Sequence, residues 1–273
     1  RQRQMCIRDS NNSGFDVLGN GTSLIPYQKD VLLNLVTCAL VIAGGIGFPV
    51  IFELPQKHFS WKRLSMHTRV VLSTTFALLL FGTLLLKLTE NISWLGAFFY
   101  SVSARTAGFS TYNLGDFSTA GLLVVSGLMF IGASPASTGG GIKTTTFFVL
   151  LSGIYSAATN HSERAFHSAI PKDAFRKASV ISMLAVFLVM TASYLMLIFD
   201  PQLSLRDVLF EMISAFSTSG LSTGITSQLS AQSRILSIIM MYIGRLGPLT
   251  VASLWYFTIG ERVRYPCLLY TSP

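Results

Sequence analysis

Two short strings of small and hydroxyl-bearing residues carry the most informative chemistry in this sequence. "RTAGFSTYN" (105–113) set over "STSGLSTGI" (217–225) brings Gly108 onto Gly220, with Thr106 on Thr218, Ser110 on Ser222 and Thr111 on Thr223. A dehydrated cation needs several oxygens at close range. Backbone carbonyls supply them where the chain is extended and no side chain intrudes; glycine permits those dihedrals, and Ser and Thr hydroxyls add acceptors. The turns hold no carboxylate ring, so carbonyl coordination is the expected mode. Asp16, Asp116 and Asp207 either concentrate cations at the mouth of such a route or are ordinary solvated loop charges.

The elements that would position these turns repeat with them. At the same offset of 112 residues, "MFIGASP" (129–135) meets "MYIGRLG" (241–247), matching Met129, Ile131 and Gly132 with Met241, Ile243 and Gly244. A weaker third copy opens the chain: "NNSGF" (11–15) places Gly14 and Phe15 on Gly108 and Phe109, and "GGIGFP" (44–49) sits near the matching Ile-Gly. Each full unit has a long apolar helix (67–88, 178–199), a short apolar segment (92–104, 205–216), a polar glycine turn and a second apolar segment. The short segments cannot cross a bilayer and are too apolar for free loops, so the pattern predicts re-entrant pore loops. The alternative is that the glycines only pack helices, as small residues do in membranes; the hydroxyls flanking each glycine argue against it.

Composition agrees with a membrane setting. Of the residues, 51% are hydrophobic and 12% charged, against about a quarter charged in soluble domains, and the mean hydropathy is +0.55. Residues 31–52 and 178–199 contain no Asp, Glu, Lys or Arg, 70–86 is a shorter uncharged run, 117–162 holds only Lys143 and 235–260 only Arg245. A 22-residue helix reaches roughly 33 Å, enough for a hydrocarbon core, and lone strands would leave backbone groups unpaired in lipid. The expected fold is therefore an all-α membrane protein of repeated helix–pore helix–filter loop–helix units, two complete and half of another. Net charge is +8. The basic residues gather at Lys57, Lys62, Arg63 and Arg69, at Arg164, Lys172, Arg176 and Lys177, and at Arg262 and Arg264, whereas 87–116 and 200–234 hold two each. The positive-inside rule puts the basic connectors and the C-terminus in the cytoplasm. Charges spread between spans do not read as a nucleic-acid face. Cys6, Cys38 and Cys267 suggest no disulfide framework, the four histidines fall in connectors and suggest no metal site, and no signal peptide is visible. Trp61, Trp94 and Trp255 stand near span ends, as interface anchors do.

Two interruptions of the apolar runs invite a role. In "GASPASTGGGIKTTTF" (132–147), Pro135 with Gly139, Gly140 and Gly141 cannot continue a helix cheaply, so the chain must break there. A polar plug beneath a cation route would block it until moved. Lys143 is either part of that plug or a helix-end lysine reaching for the interface. The string is no nucleotide-binding P-loop, because Ile142 separates glycine from lysine. Arg245 is a lone charge in an apolar run, where an unpaired charge is expensive and usually functional; neutralisation by a neighbouring helix is the alternative.

These residues resemble the Trk/Ktr/HKT superfamily of potassium transporters, most closely the membrane subunit of the bacterial Ktr potassium uptake system, over about residues 11–265. The resemblance rests on "GASPASTGGGIKTTTF", "SARTAGFST" (103–111), "LSTGIT" (221–226) and "YIGRLGPLT" (242–250). It implies a selectivity filter at Ser13, Gly14 and Phe15, at Thr106, Ala107, Gly108 and Phe109, and at Thr218, Ser219, Gly220 and Leu221, with potassium at the backbone carbonyls. It further implies a gate loop including Ser137, Thr138, Gly139, Gly140, Gly141 and Lys143, and a pore arginine at Arg245. The implied activity is potassium uptake through a channel-like pore in the plasma membrane, by a homodimer seated on a cytoplasmic nucleotide-binding regulatory ring. In the family, glycine in all four repeats goes with potassium and serine in the first with sodium permeation. The first repeat is absent here, which leaves potassium against sodium open, and a Trk-type or sodium-permeable relative is the alternative.

The chain divides into the second half of repeat two (11–56), repeat three with the gate loop (57–160) and repeat four (161–265). "RQRQMCIRDS" (1–10) and residues 266–273 break the pattern and are expected to be non-native adaptor; a continuous genomic read would overturn that. With a quarter of the filter missing, this fragment is not expected to conduct alone. Other classes fit less well: a secondary transporter with broken helices is disfavoured by repeats of one orientation, a scaffold would be indifferent to Gly108 and Gly220, and no nucleophile–base pair suggests an enzyme.

Overall fold

Serine or aspartate at the first turn starts most helices of this chain, and long apolar runs carry them on. A computed structural model describes residues 23–58, 60–159, 164–165, 168–169 and 172–247. Its helices are α1 (Val31–Ile46), α2 (Phe48–Gln56), α3 (Met66–Thr89), α4 (Trp94–Ser103), α5 (Thr119–Phe130), α6 (Thr144–Thr159), α7 (Lys172–Phe199), α8 (Leu205–Ser217) and α9 (Ala231–Leu246). A two-residue antiparallel ladder, β1 (Arg164–Ala165) with β2 (Ser168–Ala169), is the one departure from helix among the named elements. Asp30, Ser65, Ser93, Ser118, Ser204 and Ser230 cap six of the helices, each side chain accepting from an amide two or three residues into the first turn.

Helices α3 and α7 are long and apolar enough to cross a membrane, at 24 and 28 residues about 36 and 42 Å. The expected uncharged span at 31–52 is not continuous. Helices α1 and α2 pass as one apolar segment but meet at 98°. The break falls at Gly47, whose φ of +93° is a left-handed value that an L side chain rarely adopts. Hydropathy counts apolar residues and is blind to such a bend.

Packing joins the elements into two similar trios. Helix α3 lies against α4 and α5, and α7 against α8 and α9; α5 then packs on α8, while α1 packs on α4. One core cluster fills the first trio around Tyr100, Leu122 and Met129, and another fills the second around Met196, Met212 and Phe216. The outward faces of α3 and α7 remain apolar and exposed, with Phe76, Phe81 and Leu88 on one and Met183, Phe187 and Tyr194 on the other, as suits lipid contact.

An acid at the end of one long helix holds the serine cap of another. Glu90 accepts from the Ser118 amide at 2.9 Å and hydroxyl at 2.6 Å. Asp200 accepts from the Ser230 amide at 3.1 Å and the Ser233 hydroxyl at 2.6 Å. The Ser233 hydroxyl, with the donors at Ser230 and Gln202, holds the Asp200 carboxyl below its ordinary range.

Candidate functional site

The chain turns left-handed at the end of α8 and three residues past the end of α4. After α4, Thr106 has φ +77° and Gly108 +77°; after α8, Thr218 has φ +53° and Gly220 +80°. A β-branched residue in that region is a true outlier, and the strain of about 1–3 kcal/mol persists only where the surroundings impose it. Two threonines show it at matching positions of the repeat.

A serine in the last turns of each short helix fixes the turn that follows. The Ser103 hydroxyl donates to the Phe109 carbonyl, and the Ser214 hydroxyl donates to the Leu221 carbonyl at 2.6 Å. Ser214 also shares a 3.1 Å hydrogen bond with the Ser219 hydroxyl. The carbonyl just beyond each glycine is thereby turned back to its helix. Among the described residues no donor reaches the carbonyls of Thr106, Ala107, Gly108, Thr218, Ser219 or Gly220. Ser103 and Ser214 were missed in the sequence; the only sign there is a hydroxyl in an otherwise apolar helix end.

The two turns abut. A Cβ on Gly108 would run into the Ser219 carbonyl oxygen, and one on Gly220 would lie 3.8 Å from the Gly108 Cα. Their neighbours Thr106, Ala107, Phe109, Ser219 and Leu221 are buried, whereas Gly108 is half-buried and Gly220 exposed. Ser13, Gly14, Phe15 and Asp16 lie outside the described residues, as do His161, His167, Trp255, Arg262, Arg264 and both terminal segments. Asp116 stands in a short 3-10 turn after Asn113, and Asp207 is occupied near the start of α8 by Arg206 at 3.2 Å.

The loop between α5 and α6 closes on itself and seats against both turns. The Ile142 amide donates to the Phe130 carbonyl at 3.1 Å and the Thr144 amide to the Ala133 carbonyl at 3.4 Å. A Cβ on Gly139 would strike the Thr106 side chain, and one on Gly140 would come within 2.6 Å of the Thr218 hydroxyl. The Ser137 hydroxyl donates to the Ser134 carbonyl at 2.6 Å. On one flank the loop is tied to the Gly47 elbow: the Ser134 amide donates to Gly45 at 3.1 Å, and the Phe48 amide donates to Ala136 at 3.2 Å. On the other, the Arg245 guanidinium of α9 donates to the Thr138 carbonyl. Lys143 folds back and donates to the Gly139 carbonyl at 2.6 Å.

Arg105, counted in the sequence as a connector charge, is instead buried beside Thr106 and reaches the Thr75 hydroxyl of α3 at 3.4 Å. Its place two residues past the end of the short helix, not its charge, decides its burial.

The arrangement is two strained turns, whose carbonyls meet no donor among the described residues, against a tethered glycine loop. The description "TrkH: Cation transport protein" belongs to the family model that matches residues 64–256. The chain is 37% identical over 270 residues to Ktr system potassium uptake protein D of Bacillus subtilis (strain 168), covering 94% of this chain and 59% of the relative. It is 36% identical to Ktr system potassium uptake protein B of Vibrio alginolyticus, again 94% of this chain and 59% of the relative. Potassium/sodium uptake protein NtpJ of Enterococcus hirae is 35% identical, with 88% of this chain and 56% of the relative covered. Among solved structures, the potassium transporter TrkH from Vibrio parahaemolyticus superposes with a TM-score of 0.74 at 18% identity, over 91% of this chain and 56% of that one. The chain thus spans about three-fifths of the length of the curated relatives it matches.

Proposed function

The chain belongs to the TrkH family of cation transport proteins, and on that premise we propose that it supplies part of the potassium pathway of a multi-pass plasma-membrane uptake protein. One observation carries the reading: six consecutive-turn carbonyls at Thr106–Gly108 and Thr218–Gly220 have no donor among the described residues. Such carbonyls replace the hydration shell of a cation. Irregular backbone at membrane depth is tolerated where it lines a water-filled route.

In this reading the Gly139–Gly141 loop is the gate beneath the filter. Lys143 and Arg245 hold it and repel cations that approach. Ser13, Gly14 and Phe15, which lie outside the described residues, are assigned to the same filter. The basic connectors and the C-terminus face the cytoplasm, where a homodimer meets a nucleotide-binding regulatory ring; the name "Ktr system" of the relatives supports a partner subunit. A sodium-permeable route is the second reading, favoured by the relative named for potassium and sodium uptake.

Growth rescue tests the proposal. The full-length gene carrying this segment is expressed in bacteria lacking potassium uptake, on limiting potassium, beside a Gly108→Ser, Gly220→Ser version. Rescue by the native form alone is expected. Rescue by both forms would remove the glycines from the filter, and rescue by neither, with protein in the membrane, would favour the sodium reading.

A further inference from the structure

Helix α2 turns away from α1 at 98° and presents Phe48, Ile51 and Phe52 on one face, 70%, 44% and 58% exposed. The two phenylalanine rings stack at 5.8 Å. Its other side is spoken for. Val50 is fully buried, and the Glu53 carboxylate accepts from the Ser65 amide at 2.6 Å, the Ser65 hydroxyl at 2.7 Å and the Thr68 hydroxyl. Those partners cap and begin the first turn of α3, so α2 lies level with the end of a membrane-crossing helix. An amphipathic helix at that depth places its apolar face at the boundary of headgroups and acyl chains.

The connector that follows is basic. Lys62 and Arg63 are exposed, Lys57 is half-exposed and Trp61 is 46% exposed. The Lys57 ammonium donates to the Arg63 carbonyl at 3.1 Å, and the Arg69 guanidinium donates to the Lys62 carbonyl at 2.6 Å. These bonds gather the cations beside α2. Glu53 is the only acid between Phe48 and Arg69, one negative charge against the four positive charges of Lys57, Lys62, Arg63 and Arg69. An apolar face below uncompensated cations complements an anionic bilayer surface.

We propose that α2 and its basic connector bind anionic lipid headgroups and that this binding steadies the loop at 131–143 through the Gly47 elbow. The elbow is the physical link: Gly44, Gly45 and Phe48 bond the loop at Thr138, Ser134 and Ala136. The second half of the proposal rests on that loop being the gate.

The test uses the full-length protein in vesicles, with Trp61 as the only tryptophan. At equal mole fraction, brominated phosphatidylglycerol is expected to quench Trp61 more than brominated phosphatidylcholine. The Lys62→Gln, Arg63→Gln variant loses that preference, with association on the order of tenfold weaker; among the described residues neither side chain makes a hydrogen bond or ion pair, only their backbone carbonyls accepting, and adding Lys57→Gln deepens the loss. Equal quenching by both lipids would overturn the site, as would shielding of Trp61 by a soluble protein partner in place of lipid. For the coupling, rubidium flux is measured in the same vesicles. The double variant is expected to conduct several-fold faster than the unsubstituted protein in anionic vesicles and equally in neutral ones. Equal flux in both overturns the coupling. Absence of flux from both proteins in both vesicles overturns the transport reading, while the quenching result still decides the lipid site.

Discussion

The Lys143 ammonium donates to the Gly139 carbonyl at 2.6 Å, closing a ring within the loop that lies against Thr106 and Thr218. Arg245 reaches the adjacent Thr138 carbonyl from α9, and the two cations are near enough to repel each other. Each holds the loop, and together they oppose one another.

That balance predicts a non-additive pair. On the proposal that this loop is the gate, a charge-assisted hydrogen bond worth about 1.5 kcal/mol or more means that losing one shifts the closed loop toward open roughly tenfold. Lys143→Gln and Arg245→Gln each lose a bond but also relieve the repulsion, so each raises flux by less than that. The double variant relieves it only once and is expected to exceed the product of the singles. Rubidium flux into proteoliposomes measures this; a double variant at or below the product would refute the shared tether.

The two turn glycines differ in what surrounds them. Gly108→Ala and Gly220→Ala both carry the left-handed penalty of about 1–2 kcal/mol. Only Gly108→Ala also drives a methyl into the Ser219 carbonyl, whereas among the described residues the methyl at Gly220 meets nothing closer than 3.8 Å. Thermal unfolding of the full-length protein is expected to show the larger loss for Gly108→Ala, and equal losses would contradict the abutting turns.

Helix α9 approaches α8 through Gly244, where a Cβ would overlap the Phe216 carbonyl oxygen. Gly244→Ala therefore forces the helices apart and is expected to cost roughly 1–3 kcal/mol. Gly127, with nothing among the described residues within 4 Å of its Cβ, is the control: Gly127→Ala is expected to be neutral or slightly stabilising in the same melt, since alanine favours helix.

Acid sensitivity should appear at Asp200. Its folded carboxyl titrates below the ordinary value, chiefly because the Ser233 hydroxyl donates to the charged form. Stability from this group is present above the unfolded carboxylate pKa of about 3.9 and is lost as pH falls through the lower folded value. Asp200→Asn is expected to melt below the unsubstituted protein at pH 7, with the gap narrowing toward pH 3; a gap that widens on acidification would assign the stabilisation elsewhere.

How much of this was legible beforehand depended on the kind of residue. Ser118 and Ser230 stand 112 apart and each begins a helix, a local signal open to inspection. The short helices expected at 92–104 and 205–216 form at Trp94–Ser103 and Leu205–Ser217, because apolar length bounded by serine and a glycine turn is a property of contiguous residues. Arg105 and Gly47 were misjudged. Charge alone put Arg105 in a connector, and apolar composition alone ran a span through Gly47.

By itself, the sequence determined that this chain enters lipid, where its long helices run, and that two turns of one chemistry recur at a fixed interval. Those properties are written in neighbouring residues, since burial of apolar side chains and the dihedral freedom of glycine act locally. Only the tertiary structure decided that Gly108 abuts Ser219, that Gly139 and Gly140 seat on Thr106 and Thr218, and that Gly47 turns α2 away from α1. Such contacts join residues far apart in the chain. They depend on how helices of similar hydropathy choose their neighbours, which close packing settles and composition does not.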